Sequence, residues 1–111
     1  MLFVLMGYDR PGDGAEVRRR NRAAHLRFVV ENESVFRYGG ALLDDDGRMV
    51  GSLMMVELPD RNALDRFLKE EPYSRAGLFD PYFVHQTRQV VPQPAPGFLA
   101  AELAKEEARV P

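Results

Sequence analysis

Two short runs of this chain are apolar at consecutive positions, Leu2-Phe3-Val4-Leu5-Met6 and Leu53-Met54-Met55-Val56. Successive side chains of a strand point to opposite faces, so each run, as a strand, puts hydrophobic groups on both faces of its sheet. Neither strand then has a wet side. A sheet built around them needs helices over one face and a second covering over the other. The first run, ending at Gly7, is far short of the roughly 20 apolar residues that span a bilayer, and it lacks the basic flank and cleavage site of a signal peptide. We read it as a buried strand of a cytoplasmic protein.

The segments between these runs supply the helices. Tyr8 to Gly14 holds Pro11, Gly12 and Gly14 and reads as a loop. Asp13 and Glu16 have the spacing of a capping box, which predicts a helix from Gly14 or Ala15 to Glu31 or Asn32. Val35-Phe36-Arg37-Tyr38 is β-branched and aromatic and predicts a strand finishing at Gly39-Gly40. Asp44-Asp45-Asp46-Gly47 is a turn signal, so this strand and the run Met49 to Leu58 form a hairpin. The same aspartates have no second ligand cluster that would make them a metal site. Asp60 is an N-cap for a helix with Ala63, Leu64, Phe67 and Leu68 on its apolar face, ending before Pro72. Ser74-Arg75-Ala76-Gly77 reads as an irregular connector, and Pro81 to Val91 as the fourth strand. Pro92, Pro94, Pro96 and Gly97 make a stiff linker before a short amphipathic helix, Phe98 to Arg109. The chain therefore divides into a domain over residues 1–92 and an appendage over 93–111.

The order βαββαβ predicts an α+β fold of the ferredoxin-like kind, a four-stranded antiparallel sheet with both helices on one face and right-handed crossovers. Its other face is left bare and apolar, more than a soluble monomer ordinarily shows. A homodimer packed sheet against sheet covers it, with a pocket on each subunit between sheet, helices and partner.

Charge and composition narrow the chemistry. Fifteen basic against 17 acidic residues give a net charge of −2, so no global field attracts nucleic acid or an anionic membrane. There is no cysteine, which excludes disulfides and thiolate chemistry and suits a reducing cytoplasm. Five arginines lie between Arg18 and Arg27, mostly as a solvated helix face. Within that segment sits His25. At about 100° per residue, Val17, Ala24 and Phe28 form an apolar stripe; His25 falls at its edge, with Asn21, Arg22, Arg18 and Val29 on the same flank. A neutral imidazole there is a proton acceptor near pH 7. His85, which alternates with Phe83 and Thr87 in the last strand, reads as structural. No glycine-rich phosphate loop follows a strand, and no nucleophile motif is present.

Arg22-Ala23-Ala24-His25-Leu26, then Gly39-Gly40-Ala41-Leu42-Leu43-Asp44, Gly51-Ser52-Leu53 before an apolar strand, Glu71-Pro72-Tyr73, and a last strand ending at Pro92 together resemble the YCII-related (YciI-like) family. The likeness runs from Met1 to Pro92. It implies a ferredoxin-like fold of the dimeric α+β barrel type and an active site centred on a histidine and an aspartate. The histidine falls on His25, and the aspartate position is occupied by Glu71. The chemistry so implied is proton transfer, with His25 as general base and a carboxylate orienting the imidazole. That carboxylate is Glu71, or alternatively Asp44 or Asp45. Arg22 and Arg18 would bind a carboxylate or enolate oxygen, and Tyr73 completes the substrate-binding set. The expected protein is a small-molecule enzyme of lyase, isomerase or dehalogenase type acting on an acidic or phenolic organic compound, with neither metal nor organic cofactor. The alternative is a non-catalytic dimeric module that binds a small ligand or another protein.

Overall fold

The computed structural model describes residues 1–110. In chain order the elements are β1 (Leu2–Asp9), α1 (Gly14–Glu31), a 3-10 turn (Glu33–Val35), β2 (Phe36–Leu43), β3 (Met49–Glu57), α2 (Arg61–Glu70), α3 (Pro72–Arg75), β4 (Phe79–Thr87) and α4 (Phe98–Arg109). The four strands form one sheet in the order β2-β3-β1-β4, and every neighbouring pair is antiparallel. This is the ferredoxin-like α+β arrangement, with the two strands of consecutive apolar residues at its centre.

The two faces of the central strands differ as their alternation requires. Phe3 and Leu5 of β1 lie opposite Val56 and Met54 of β3, and all four are buried beneath the helices with Val17, Leu64, Phe67 and Leu78. Val4 and Met6 lie opposite Met55 and Leu53 on the other face, where no helix covers them. Gly7 belongs to the helix side and is needed there: a Cβ at this position would run into the Cβ and ring of Phe79. No helix of the described residues is long and apolar enough to cross a membrane.

Several local expectations are corrected. The capping box does not form, and Asp13 makes no side-chain cap bond to α1. Its carboxylate is gripped by Arg10 instead, Nε to Oδ1 at 2.8 Å and Nη2 to Oδ2 at 3.0 Å, while that of Glu16 is held by Arg19. A two-pronged charged donor outcompetes a neutral backbone N–H. β2 begins at Phe36 and runs through both glycines to Leu43, because pairing of Gly39 with Met54 and of Gly40 with Leu53 outweighs glycine's weak strand preference. β4 spans Phe79–Thr87 rather than residues 81–91. Thr87 pairs with Leu2, the first residue of β1, so beyond it no ladder partner remains. Ser74 and Arg75, expected in an irregular connector over residues 74–77, are instead the second half of the one-turn helix α3. Asp60 does cap α2, accepting from the Ala63 N–H at 2.8 Å. α4 forms over the expected residues, but none of them is buried.

Candidate active site

The site is built at the break between α2 and α3. Proline disfavours a helical conformation in the residue before it, so Pro72 ends α2 at Glu70 and leaves Glu71 extended, at φ −66° and ψ 121°. Glu71 donates its N–H to Phe67 O at 2.8 Å, closing α2, and its side chain turns back to cap α3. Oε1 accepts from the Tyr73 N–H at 3.0 Å, and Oε2 accepts from the Ser74 N–H at 2.7 Å and the Ser74 hydroxyl at 2.8 Å. The residue is 0 % exposed, so these donors replace the water that an ionised carboxylate needs.

The remaining acceptor position of Glu71 meets His25, whose Nδ1 stands 2.6 Å from Oε1. An ionised carboxylate offers about four acceptor sites and no donor, and here three are filled by N–H and O–H groups whose direction is fixed. Nδ1 therefore carries a proton and donates, and Nε2 is the free nitrogen of the ring. Burial works against ionisation of Glu71, but the bonds from His25, from the Ser74 and Tyr73 N–H groups and from the Ser74 hydroxyl outweigh it and hold the carboxyl below its usual range. The imidazole also stacks on Tyr73, with ring centroids 4.0 Å apart and planes 13° from parallel.

His25 lines a cavity of about 510 Å³ that lies between α1, β2 and β3. Leu26, Val29, Phe36, Met49 and Met54 give it apolar walls, and Arg18, Arg22, Glu33 and Arg37 add charge, with His25, Ser52 and Tyr73 among them. It opens between α1 and the edge strand β2, where Arg22, Leu26, Arg37 and Tyr38 are exposed. These walls come from one chain; the expectation that a partner subunit forms part of them is not needed for the cavity to exist.

The other expected site residues divide. Arg22 is at the rim and in no ion pair among the described residues; its Nη1 meets Met49 Sδ at 3.4 Å. Arg18 lines the cavity and is already engaged there. It is buried, and its Nε and Nη2 hold Asp9 Oδ2 and Oδ1 at 2.7 and 2.8 Å, with Nη2 also reaching Ser52 Oγ at 2.9 Å. Its charge is balanced by Asp9, nine residues earlier, a pairing that only the fold reveals. Tyr73 lines the cavity but is only 1 % exposed, and among the described residues its buried hydroxyl has no hydrogen-bond partner. The Arg18 guanidinium lies over the Tyr73 ring, 4.8 Å from its centroid. Asp44 is occupied by the hairpin, where Oδ1 accepts from the Asp46 and Arg48 N–H groups, and neither Asp44 nor Asp45 lines the cavity. His85 is exposed and pairs with Val4, on the sheet face away from His25. Among the described residues no group of three or more His, Asp and Glu side chains is placed to hold a metal ion. Ser74 and Tyr82 were not singled out from the sequence; Tyr82 Oη lies 2.7 Å from Ser74 Oγ.

A ferredoxin-like α+β domain in which a histidine backed by a buried carboxylate faces a cavity is thus defined. The chain belongs to the YCII-related family, whose domain model matches residues 1–88. Among solved structures it is similar to the 5-chloro-2-hydroxyhydroquinone dehydrochlorinase TftG of Burkholderia phenoliruptrix in complex with 2,5-dihydroxybenzoquinone. Identity there is 31 %, over 84 % of this chain and 99 % of that one, with a TM-score of 0.72. More remote likenesses are to an antibiotic biosynthesis monooxygenase, at 20 % identity over 81 % of this chain and 99 % of that chain with a TM-score of 0.49, and to Rv0793 of Mycobacterium tuberculosis, at 17 % over 81 % and 96 % with a TM-score of 0.46. A search of curated proteins found no match.

Proposed function

We propose that this protein is a cofactor-independent enzyme of lyase, isomerase or dehalogenase type that moves a proton on a small hydroxylated aromatic or other acidic compound. The observation that carries the reading is the 2.6 Å contact between His25 Nδ1 and Glu71 Oε1 on a carboxylate whose other acceptor positions are filled. It leaves Nε2 as the base, in a side chain that lines the cavity. The mildly acidic proton of a phenol, or of a carbon beside a carbonyl, is a fitting target for an imidazole near pH 7. As Nε2 takes that proton, Glu71 balances the imidazolium formed. In an isomerisation the proton returns at another atom; in a dehalogenation the electron pair released expels halide, so that the elements of a hydrogen halide are lost. Arg22, free at the rim, attracts the anionic form of the substrate, and Leu26, Val29, Phe36 and Met54 take its ring. The similarity to a dehydrochlorinase of a chlorinated hydroquinone supports an aromatic substrate of this class.

The apolar sheet face supports a homodimer, and the cysteine-free composition supports a cytoplasmic protein. The test is a screen of three compound classes, small carboxylic acids, lactones and hydroxylated or chlorinated hydroquinones, by thermal shift and by turnover. The expected result is stabilisation and turnover with the hydroquinones. Stabilisation without turnover would favour a ligand-binding module, and no response in any class would overturn the substrate assignment.

A further inference from the structure

We propose that Ser74 and Tyr82 are positioning residues of the His25 centre, a hydrogen-bonded wire from β4 that fixes the Glu71 carboxylate against the imidazole; the assignment rests on the role proposed for His25 and Glu71.

The direction of the wire follows from counting hydrogens. Ser74 Oγ lies 2.8 Å from Glu71 Oε2 and 2.7 Å from Tyr82 Oη. The serine hydroxyl has one hydrogen, and an ionised carboxylate can only accept. That hydrogen therefore points at Glu71, and the Tyr82 O–H donates into Ser74 Oγ. Every link runs the same way, from phenol to hydroxyl to carboxylate, so each bond polarises the next. Burial pushes the Tyr82 phenol up in pKa, against its bond to Ser74, and the Glu71 charge adds to the rise. Tyr82 thus stays a donor at any pH at which the protein is used.

The mechanical effect is specific. The Tyr73 N–H fixes one carboxylate oxygen and the Ser74 N–H the other; the hydroxyl is the second donor on Oε2 and opposes rotation of the carboxylate away from the ring. Without it Glu71 becomes more basic and competes for the Nδ1 proton. Other charged or titratable groups face the same space: Arg18 with Asp9 and Arg22 on and beside α1, Glu33 of the 3-10 turn, Arg37 and Tyr38 on β2 and Tyr73 on α3. Among the described residues none of their side chains hydrogen-bonds Glu71, so the wire can be varied alone.

The experiment is a carbon-detected titration of glutamate side-chain carboxyls in the full-length protein, with the Glu71 signal assigned by its loss in Glu71→Gln. Ser74→Ala is expected to raise the Glu71 midpoint by about one unit, roughly tenfold in its acid constant. Tyr82→Phe should move it less but in the same direction, and Ser74→Thr should restore it. An unchanged midpoint in Tyr82→Phe and Ser74→Ala, whatever happens to melting temperature, overturns the wire. Should Ser74→Ala not fold, Tyr82→Phe, which removes a single distant oxygen, decides alone. The titration needs no substrate, so failure of every compound to turn over would count against the functional reading and not against this one.

Discussion

Glu71 is the residue at which sequence, fold and chemistry meet, and its fate can be followed in a single substitution. Glu71→Gln keeps the shape of the side chain but replaces one acceptor oxygen by an NH2 group. At either oxygen position that group meets a backbone N–H, of Tyr73 or of Ser74, that loses its acceptor, and an unsatisfied buried polar group costs about 1–3 kcal/mol. The effect depends on pH in a definite direction. Because the folded carboxyl titrates below its unfolded value, its stabilisation is present above an unfolded pKa of about 4.3 and is lost as pH falls through the folded value. Urea unfolding at neutral pH and near pH 3 should therefore show a deficit in Glu71→Gln that shrinks in acid. An equal deficit at both would mean the carboxylate charge is not what the site stabilises. At this scale His25 was legible from its place at the edge of an apolar helix face, while Glu71 came only from the resemblance to the family, which left Asp44 and Asp45 open beside it. The engagement of Arg18 and the place of Tyr82 went unseen because their partners Asp9 and Ser74 are brought up by chain reversals; Ser74 stands three residues after Glu71, a capping spacing that the sequence did carry.

Elements were legible where hydrophobic period and turn chemistry agreed, as in α2 and the β2–β3 hairpin, while α1 formed over the expected residues without its capping box. They were missed at ends decided by neighbours: β4 stops where β1 has no residue left to pair, and α3 exists because a glutamate side chain caps it. Gly7 shows how tightly the sheet and the segment after α3 are packed. Gly7→Ala would drive a methyl into Phe79, whose ring lies against Tyr73 and Tyr82 with centroids 6.0 and 4.9 Å away. Overpacking of this kind costs about 1–3 kcal/mol, and thermal melting should show the loss; a wild-type melting temperature would contradict the packing. α4 poses the opposite case. An isolated helix of its length is marginal in water, and no residue of α4 is buried, with Leu103 60 % exposed. We expect it to dock on a second subunit, so removal of residues 95–111 should weaken dimerisation measurably by sedimentation. An unchanged dissociation constant and melting temperature would rule this out.

For the molecule as a whole, the open sheet face sets the question. Val4, Met6, Leu53 and Met55 lie on it without helical cover, alongside Tyr8, Tyr38 and Phe83, which are 46 %, 52 % and 44 % exposed. Burying each large side chain contributes on the order of 1.5–3 kcal/mol, which over two subunits exceeds an association cost of about 4–15 kcal/mol. A twofold dimer is the expected state, and Val4→Glu, on the open face, should give monomeric or aggregated protein, whereas a wild-type monomer at micromolar concentration would refute the dimer. The cavity itself needs only one chain, so its chemistry can be judged separately. The most direct measurement is kcat/KM at pH 7 for the best hydroquinone substrate, in wild type and in His25→Ala of matched fold and oligomeric mass. Loss of a general base predicts a fall of roughly 100- to 10,000-fold; a ratio near one would contradict the assignment of His25 as the base.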